Sequence, residues 1–372
     1  MWYNRFTRAL EERFMNLDYL PNRITSPDIP EGHVQGIAVD TERGFVYYSF
    51  TTLLLKTDLT GRPLGSVVRL AGHLGCITFC PEDGNVYGSL EQKHDAIGAG
   101  IIRRTGWDPS CEDAFYLVRF DTDKITRMDM DAEKDGVMTA VYLRDVVRDY
   151  RETDEASGKP HRYGCSGIDG LGYGPAFGAL ADSSKKFMVC YGVYGDTSRE
   201  DNDYQVISQY DPSVFAAFAK PLNQSLPHHS GPDHYEERYF FYTGNTVYGV
   251  QNLEYEPSRR QWLVAVYRGQ KETFTNFPMF VIDGAADPQL RELAGRKGEM
   301  GLVLPQAAGG LPGKAELSGL EFRFGQTGIA ALGDGTLYFS QDGSHPEEKT
   351  FYTTLVHYKR QDDPNTPFLE LA

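Results

Sequence analysis

The sequence predicts an all-β protein, a β-propeller of four-stranded antiparallel blades with an N-terminal helix. Three observations predict this fold class. A unit of about 40 residues recurs along the chain, as it does in propeller proteins. Each unit contains several short runs of β-forming residues, separated by turns that contain Gly, Asp or Asn. The aromatic residues are mainly Tyr (23) and Phe (21) rather than Trp (3), which suits a chain of many tightly turned strands.

The recurring unit is clearest at its second strand, where three copies share the pattern Gly-x-(Val/Leu)-Tyr-x-Ser. These copies are residues 44–49, 84–89 and 335–340. In four copies the third strand ends in an aspartate, at which an Asx turn can begin: Asp58, Asp121, Asp211 and Asp283. The first strands are rich in small residues, as expected where innermost strands crowd around a channel. Five copies predict five blades, and a degenerate copy over residues 128–143 leaves six blades open.

The segment that precedes the repeats predicts an amphipathic helix over residues 1–17. Its apolar residues recur every four positions with charged residues between them: Trp2, Phe6, Leu10 and Phe14. Such a stripe needs a surface to pack on, so we expect the helix to dock on the outside of the propeller. The predicted organisation is therefore helix and lead-in strand over residues 1–32, propeller over 33–360 and a C-terminal tail over 361–372.

The repeat resembles propellers of the NHL and gluconolactonase-like type. In these proteins a unit recurs that reads Gly-Ile-Ala-Val-Asp, then Gly-x-Val-Tyr-x-Ser, then Leu-x-x-x-Asp-x-x-Gly. Here the first unit carries all three parts, at residues 36–40, 44–49 and 54–61. The resemblance covers residues 33–360 and implies the propeller architecture. It implies no particular chemistry, since one fold serves many functions.

The composition excludes several classes of partner. Across 372 residues, 52 Asp and Glu outnumber 37 Lys and Arg, and a net charge of −15 repels nucleic acid and anionic membrane surfaces. No apolar run approaches the roughly 18 residues of a membrane-spanning helix. No glycine-rich phosphate-binding fingerprint precedes a helical pattern, so we expect no nucleotide cofactor. Five cysteines without metal-type pairs favour free thiols and a cytoplasmic location, or secretion if a signal peptide has been removed.

Blade topology predicts where a site would lie. The loop that leads into the innermost strand and the loop that joins strands two and three emerge on the same face of a propeller. Four of these second loops are long, over residues 91–113, 192–203, 269–278 and 342–350. Long loops on one face of a rigid scaffold are where binding residues usually lie. We therefore expect a site at this end of the channel, with a small-molecule substrate.

The polar residues of these loops and strand ends are the candidate site residues. The predicted catalytic residues, as acid–base groups, are His33, His73 and Asp169. The predicted substrate-binding residues are Gln35, Arg162, Tyr163, Gln251, Arg268, Gln341 and His345. The predicted ligands of a divalent cation, with Ca²⁺ favoured by their oxygen donors, are Glu91, Asp169 and Asp342.

Two functions remain open at this level. One is an enzyme, a hydrolase or lyase that acts on a small polar metabolite or carbohydrate with the assistance of a metal. The other is a non-catalytic propeller that binds a ligand or another protein. A closed site with perturbed carboxylates favours the enzyme, whereas a broad, flat apolar patch favours the binding module. The sequence specifies neither the substrate nor the oligomeric state.

Overall fold

The computed structural model describes residues 19–30, 32–106, 112–155 and 157–372, which form a five-bladed β-propeller. The strands lie in five large sheets, and the innermost strands contact one another in a closed ring. The predicted all-β propeller is thus confirmed with five blades. The predicted helix over residues 1–17 lies outside the described residues.

The first two blades follow the predicted order of antiparallel strands from the channel outwards. Strand β1 (Arg23–Thr25) precedes them and belongs to the last blade. Blade 1 contains β2 (Val34–Asp40), β3 (Phe45–Phe50), β4 (Leu53–Asp58) and β5 (Pro63–Val68). Blade 2 contains β6 (His73–Cys80), β7 (Asn85–Gln92), then helix α1 (Ala96–Thr105), β8 (Ala114–Phe120) and, on its outer edge, β10 (Met138–Tyr142). The short β9 (Met130–Asp131) pairs in parallel with β5. Residues 128–143 therefore extend blades 1 and 2 and do not form a sixth blade.

Blade 3 gains two strands from the chain that follows blade 4. Helix α2 (Arg144–Arg151) leads into blade 3, which contains β11 (Cys165–Pro175), β12 (Lys185–Val193), β13 (Tyr204–Tyr210), helix α3 (Ser213–Phe218) and β14 (Glu237–Tyr242). Blade 4 contains β15 (Thr246–Glu256), β16 (Gln261–Arg268) and β17 (Met279–Asp283). The chain then returns to blade 3 as β18 (Gln289–Glu292) and β19 (Met300–Val303), the latter parallel to β14. Blade 4 consequently has three strands rather than the predicted four, with isolated bridges on its outer edge.

Blade 5 joins the two ends of the described chain. The small hairpin β20 (Leu311–Pro312) and β21 (Ser318–Gly319) leads into β22 (Ile329–Ala331), β23 (Thr336–His345) and β24 (Thr350–Arg360). The outer edge of β24 pairs with β1 and with β25 (Phe368–Glu370). Strands β23 and β24 pair over the whole of residues 336–345, so the segment expected as a loop over 342–350 is mostly a long hairpin.

In two of its three copies, the repeated serine of the second strand ties neighbouring blades together. The hydroxyl of Ser49 donates to the carbonyl of Gly75 over 2.7 Å, and the hydroxyl of Ser89 donates to the carbonyl of Asp169 over 2.7 Å. Both serines are buried, and each bond crosses from one blade to the innermost strand of the next. The serine of the sequence pattern is therefore shared by these two repeats because it connects neighbouring blades. Its hydrogen bond fixes the second strand of one blade against the inner strand of the next.

The channel is crossed midway by the side chain of Asn252. Its amide nitrogen donates to the carbonyls of Gln35 (3.1 Å) and Gln326 (3.0 Å), and its oxygen accepts from the thiol of Cys76 (3.2 Å). These bonds join blade 4 to blades 1, 2 and 5. The polar bridge separates the end of the channel where inner strands begin from the end where they finish.

Candidate functional site

Three predicted residues meet at the end of the channel where the inner strands begin. His73 is the first residue of β6, and Glu91 faces it directly across the ladder from β7. Asp169 comes from β11 of the next blade. One ligand atom from each side chain lies within 4.8 Å of the other two, and all three residues are buried. The topological argument about loop ends thus identified a compact cluster.

The imidazole of His73 lies between the two carboxylates. Its Nδ1 is 3.4 Å from Asp169 Oδ1 and 3.5 Å from Glu91 Oε1, and it has no hydrogen bond within the described part of the chain. Burial lowers the pKa of His73, but the two neighbouring carboxylates more than compensate and raise it to about 9. Without a further ligand the imidazole is therefore cationic at neutral pH.

Glu91 is held by a buried lysine. Lys93, two residues further along the chain, places Nζ 2.7 Å from Glu91 Oε1 and 3.5 Å from Asp95 Oδ2, and donates to the carbonyl of Ser166 over 2.6 Å. Burial acts to lower the pKa of Lys93, yet these carboxylates and Asp169 keep it above its usual value. The other oxygen of Glu91 accepts from the backbone N–H of Ile168 over 3.0 Å. Both oxygens of Glu91 are therefore held in place by contacts.

Asp169 lies where the β11 ladder is irregular, in the register shift between Ile168 and Leu171. Its Oδ2 accepts from the amide of Gln251 over 3.3 Å. Burial acts to raise the pKa of Asp169, but contact with His73, together with the charge of Lys93, holds it below its usual range. Asp169 is thus a carboxylate that faces the channel at neutral pH.

Gly167 creates the space that Glu91 occupies. Its φ of +124° is a backbone conformation that side-chain-bearing residues rarely adopt, and a Cβ there would lie 2.1 Å from Glu91 Oε2. Gly167 therefore reflects close approach to this carboxylate, whereas Gly170 and Gly172 of the same strand lie against Val250 and Trp262 of blade 4.

The blade 1 candidates lie beside the cluster. His33 Nε2 is 3.1 Å from the amide nitrogen of Gln35. Burial, and next the charge of His73, lower the pKa of His33, while Asp342 acts in the opposite direction. Asp342 itself is exposed and is not one of the three clustered ligands. Burial, followed by the charges of Asp342 and Asp169, raises the pKa of Tyr267 to about 12, so both acids act on this phenol.

The remaining predicted residues have partners of their own elsewhere. Arg162 and Tyr163 both contact Glu299, over 3.0 and 2.5 Å. Arg268 forms an ion pair with Glu321. The structure does not bring these three predicted substrate-binding residues into the cluster.

Two candidates of blade 5 also have local partners. Gln341 donates to the hydroxyl of Tyr358 over 2.9 Å. His345 stacks on Tyr352 and lies 3.4 Å from Asp28. Both belong to the long hairpin of β23 and β24.

The sequence reasoning missed Lys93 and Tyr267. Lys93 follows Glu91 by two positions, and alternation along a strand puts such a pair on one side, which was a usable signal. Tyr267 belongs to β16 and gave no such signal, because a tyrosine in an apolar run is ordinarily part of the core.

Helix α1 covers the outer side of the cluster. Asp95 caps it by accepting from the backbone N–H groups of Ile97 and Gly98, both over 3.0 Å. A hollow of about 10 Å³ remains between the helix and His73, Glu91 and Lys93. That space suits about one water molecule, so a substrate must approach from the mouth of the channel.

Comparisons with known proteins add no function. No family profile and no curated protein sequence matches the chain. Among solved structures, the chain is similar to the Cps50 (Swd1) β-propeller domain of Myceliophteria thermophila (9% identity, 82% of this chain and 65% of that one, TM-score 0.33). It is similar to a glucose dehydrogenase (11% identity, 90% and 99%, TM-score 0.35) and to a presumed gluconolactonase (13% identity, 93% and 79%, TM-score 0.32). At these values the likenesses support no argument about chemistry.

In the described residues, no helix is long and apolar enough to cross a membrane.

Proposed function

We propose that the cluster of His73, Glu91 and Asp169 binds one divalent cation and that the protein is a metal-assisted hydrolase of a small polar metabolite. The observation that carries this proposal is the spacing of the three side chains. Ligand atoms that lie about 2.1 Å from one metal are about 3.4 Å apart in a tetrahedral arrangement. The Nδ1 of His73 lies 3.4 and 3.5 Å from the two carboxylate oxygens, and it has no hydrogen bond to any described residue.

The donor set indicates the kind of cation. Ca²⁺ prefers six to eight oxygen ligands, whereas one imidazole with two carboxylates is typical of Mn²⁺, Fe²⁺ or Zn²⁺ sites. We therefore favour a transition metal over the Ca²⁺ that the sequence suggested. A bound cation of this kind would lower the pKa of a water ligand and so supply a nucleophile at neutral pH.

The other residues have roles that do not depend on the cation. Lys93 balances the charge of Glu91 and fixes its orientation, as outer-sphere partners of metal ligands usually do. His33, whose pKa is lowered, is a neutral imidazole that can accept a proton at the channel mouth. The amides of Gln35 and Gln251 face the same region and can hydrogen-bond hydroxyl groups.

The substrate class follows from charge. The protein carries a net charge of −15. Polyanions are therefore repelled. Neutral, hydroxyl-rich molecules such as sugars and lactones match the amide and carboxylate groups, which supports a hydrolase of a carbohydrate or lactone.

The proposal is tested by calorimetric titration of chelator-treated protein with MnCl₂ and ZnCl₂. We expect one ion per chain, and at least about a 100-fold weaker affinity in Asp169→Asn, since even outer partners of metal ligands account for 10- to 100-fold. Asp233→Asn, which removes a carboxylate from an 87% exposed position, is the matched control and should bind as the wild type does. Binding that is absent from the wild type, or equal in Asp169→Asn, would overturn the metal site and leave the non-catalytic binding module as the better function.

A second measurement tests catalysis separately. The metal-loaded protein is assayed against a panel of aldonolactones and p-nitrophenyl glycosides. His33→Asn should retain metal affinity but lose turnover of whichever compound the wild type hydrolyses. Full activity in His33→Asn would remove this residue from the mechanism.

A further inference from the structure

A second cavity, of about 380 Å³, lies at the other end of the channel. It is lined by the ends of the inner strands of all five blades, beyond the polar bridge made by Asn252. Its volume is within the range of sites for small organic ligands. Nothing in the proposed hydrolase uses it.

The cavity contains a carboxyl group that lacks a cationic partner. Glu254 Oε1 accepts from the backbone N–H of Ala331 over 2.8 Å, and no Lys, Arg or His of the described residues forms an ion pair with it. Other carboxylates in the interior are paired, as Asp149 is with Arg238 (2.8 Å) and Asp203 with Lys271 (2.6 Å). A half-buried carboxyl without a counter-charge is costly to ionise, so it indicates a cationic ligand.

The charged groups around the cavity are already engaged. Asp40 accepts from the backbone N–H groups of Glu42 and Arg43 and pairs with the guanidinium of Arg43. Lys185, on the rim, pairs with Glu82 over 2.9 Å. Glu254 is therefore the group that is available to a ligand.

The walls around Glu254 are apolar and aromatic. They include Ile37, Phe79, Tyr173, Tyr255, Ala330 and Leu332. Such walls suit a hydrocarbon chain, and aromatic rings also attract a cationic head group. A metal ion would require further ligands, which a single carboxylate does not supply.

We propose that this cavity is a binding site for a small primary alkylammonium compound, whose cationic head pairs with Glu254 and whose apolar stem packs on the aromatic wall. An anion would be repelled by the ionised carboxyl. A neutral alcohol would supply one hydrogen bond but no counter-charge that allows the carboxyl to ionise.

The ionisation of Glu254 gives the site a signature. Burial raises the pKa of Glu254 to about 8, against the opposing effect of the Ala331 N–H. The other titratable groups that face the cavity or the inner strands beside Glu254 are Cys76, Asp40, Glu42, Tyr173, Tyr255 and Lys185. Burial raises the pKa of Cys76 to about 12, so this thiol does not titrate in the same range. Binding an ammonium ion at pH 7 therefore displaces a proton from Glu254.

The test is calorimetric titration with n-butylammonium chloride, with n-butanol as the uncharged probe and NaCl as the ionic control. We expect saturable 1:1 binding of n-butylammonium, about tenfold tighter at pH 7 than at pH 6, with about one proton released. Glu254→Gln should weaken it at least tenfold, whereas the exposed Glu348→Gln should leave it unchanged.

Three outcomes would overturn the proposal. They are no saturable binding to the wild type, equal binding by Glu254→Gln, and equal affinity for n-butanol. The comparison of n-butylammonium with n-butanol and the pH dependence use the wild-type protein alone. The proposal therefore remains testable even if the variant does not fold.

Discussion

Replacing Glu254 with Gln should stabilise the ligand-free protein, and the gain should grow with pH. The carboxyl has a pKa of about 8 in the folded protein and 4.5 as its ordinary value. A carboxyl whose pKa is higher in the folded than in the unfolded state destabilises the folded protein at every pH at which the unfolded chain ionises it. Its effect on stability is therefore neutral below about pH 4.5 and becomes a penalty as pH rises towards 8.

The magnitude follows from the two pKa values. Each pKa unit corresponds to about 1.4 kcal/mol, so the full penalty above pH 8 is about 5 kcal/mol. Between the two pKa values it is smaller, about 3 kcal/mol at pH 7 and about 1 kcal/mol at pH 5. Glutamine has nearly the same shape and no charge, and its side-chain oxygen can still accept from the Ala331 N–H.

The assay is urea unfolding of the wild type and Glu254→Gln at pH 5, 7 and 8.5, without any amine. The difference between the two proteins isolates this carboxyl, because every other titratable group is common to both. Glu348→Gln provides the control for the loss of one exposed negative charge, and should change stability by less than about 0.5 kcal/mol. A constant difference across the three pH values, or a variant that is less stable than the wild type, would refute the reasoning.

Two further predictions concern the metal-site end of the channel. Lys93→Met should destabilise the protein by about 3–5 kcal/mol in urea unfolding at pH 7, because it leaves Glu91 buried without its cation; an unchanged midpoint would show that water reaches this carboxylate. Ser89→Ala should cost about 1–3 kcal/mol, because it removes the hydroxyl that donates to the carbonyl of Asp169. A neutral Ser89→Ala, measured in the same way, would mean that the bond between blades 2 and 3 is dispensable.

The fold was predictable because the same short sequence pattern recurs at the same strand of several blades. The pattern from Gly44 to Ser49 and its two equivalents marks second strands, and the serine in it makes the bonds between blades 1 and 2 and between blades 2 and 3. The partners of the outer strands were not predictable. Residues 289–303 follow blade 4 in the chain but return to blade 3, and residues 23–25 join the last blade. These pairings depend on edges that exist only after the sheets have formed.

The candidate site was predictable only for residues whose position the pairing of the inner strands determines. His73 and Glu91 are at the start of one strand and the end of the next, so any propeller places them together. Arg162 precedes an inner strand by three residues, but local backbone turns direct it towards Glu299 instead. The sequence carries no signal for such turns, which arise from packing of the whole lead-in segment.

The closure of blade 5 pairs two strands that are synthesised at widely separated times. The strand at residues 23–25 pairs with residues 354–356, which are synthesised about 330 residues later. At about 5–20 residues per second, that interval is roughly 15–65 s, during which the nascent chain carries an unpaired strand edge. An unpaired edge can pair with another chain, so the strand at residues 23–25 is exposed to aggregation during this interval. Shielding of this edge by a chaperone during this interval should raise the yield of folded protein.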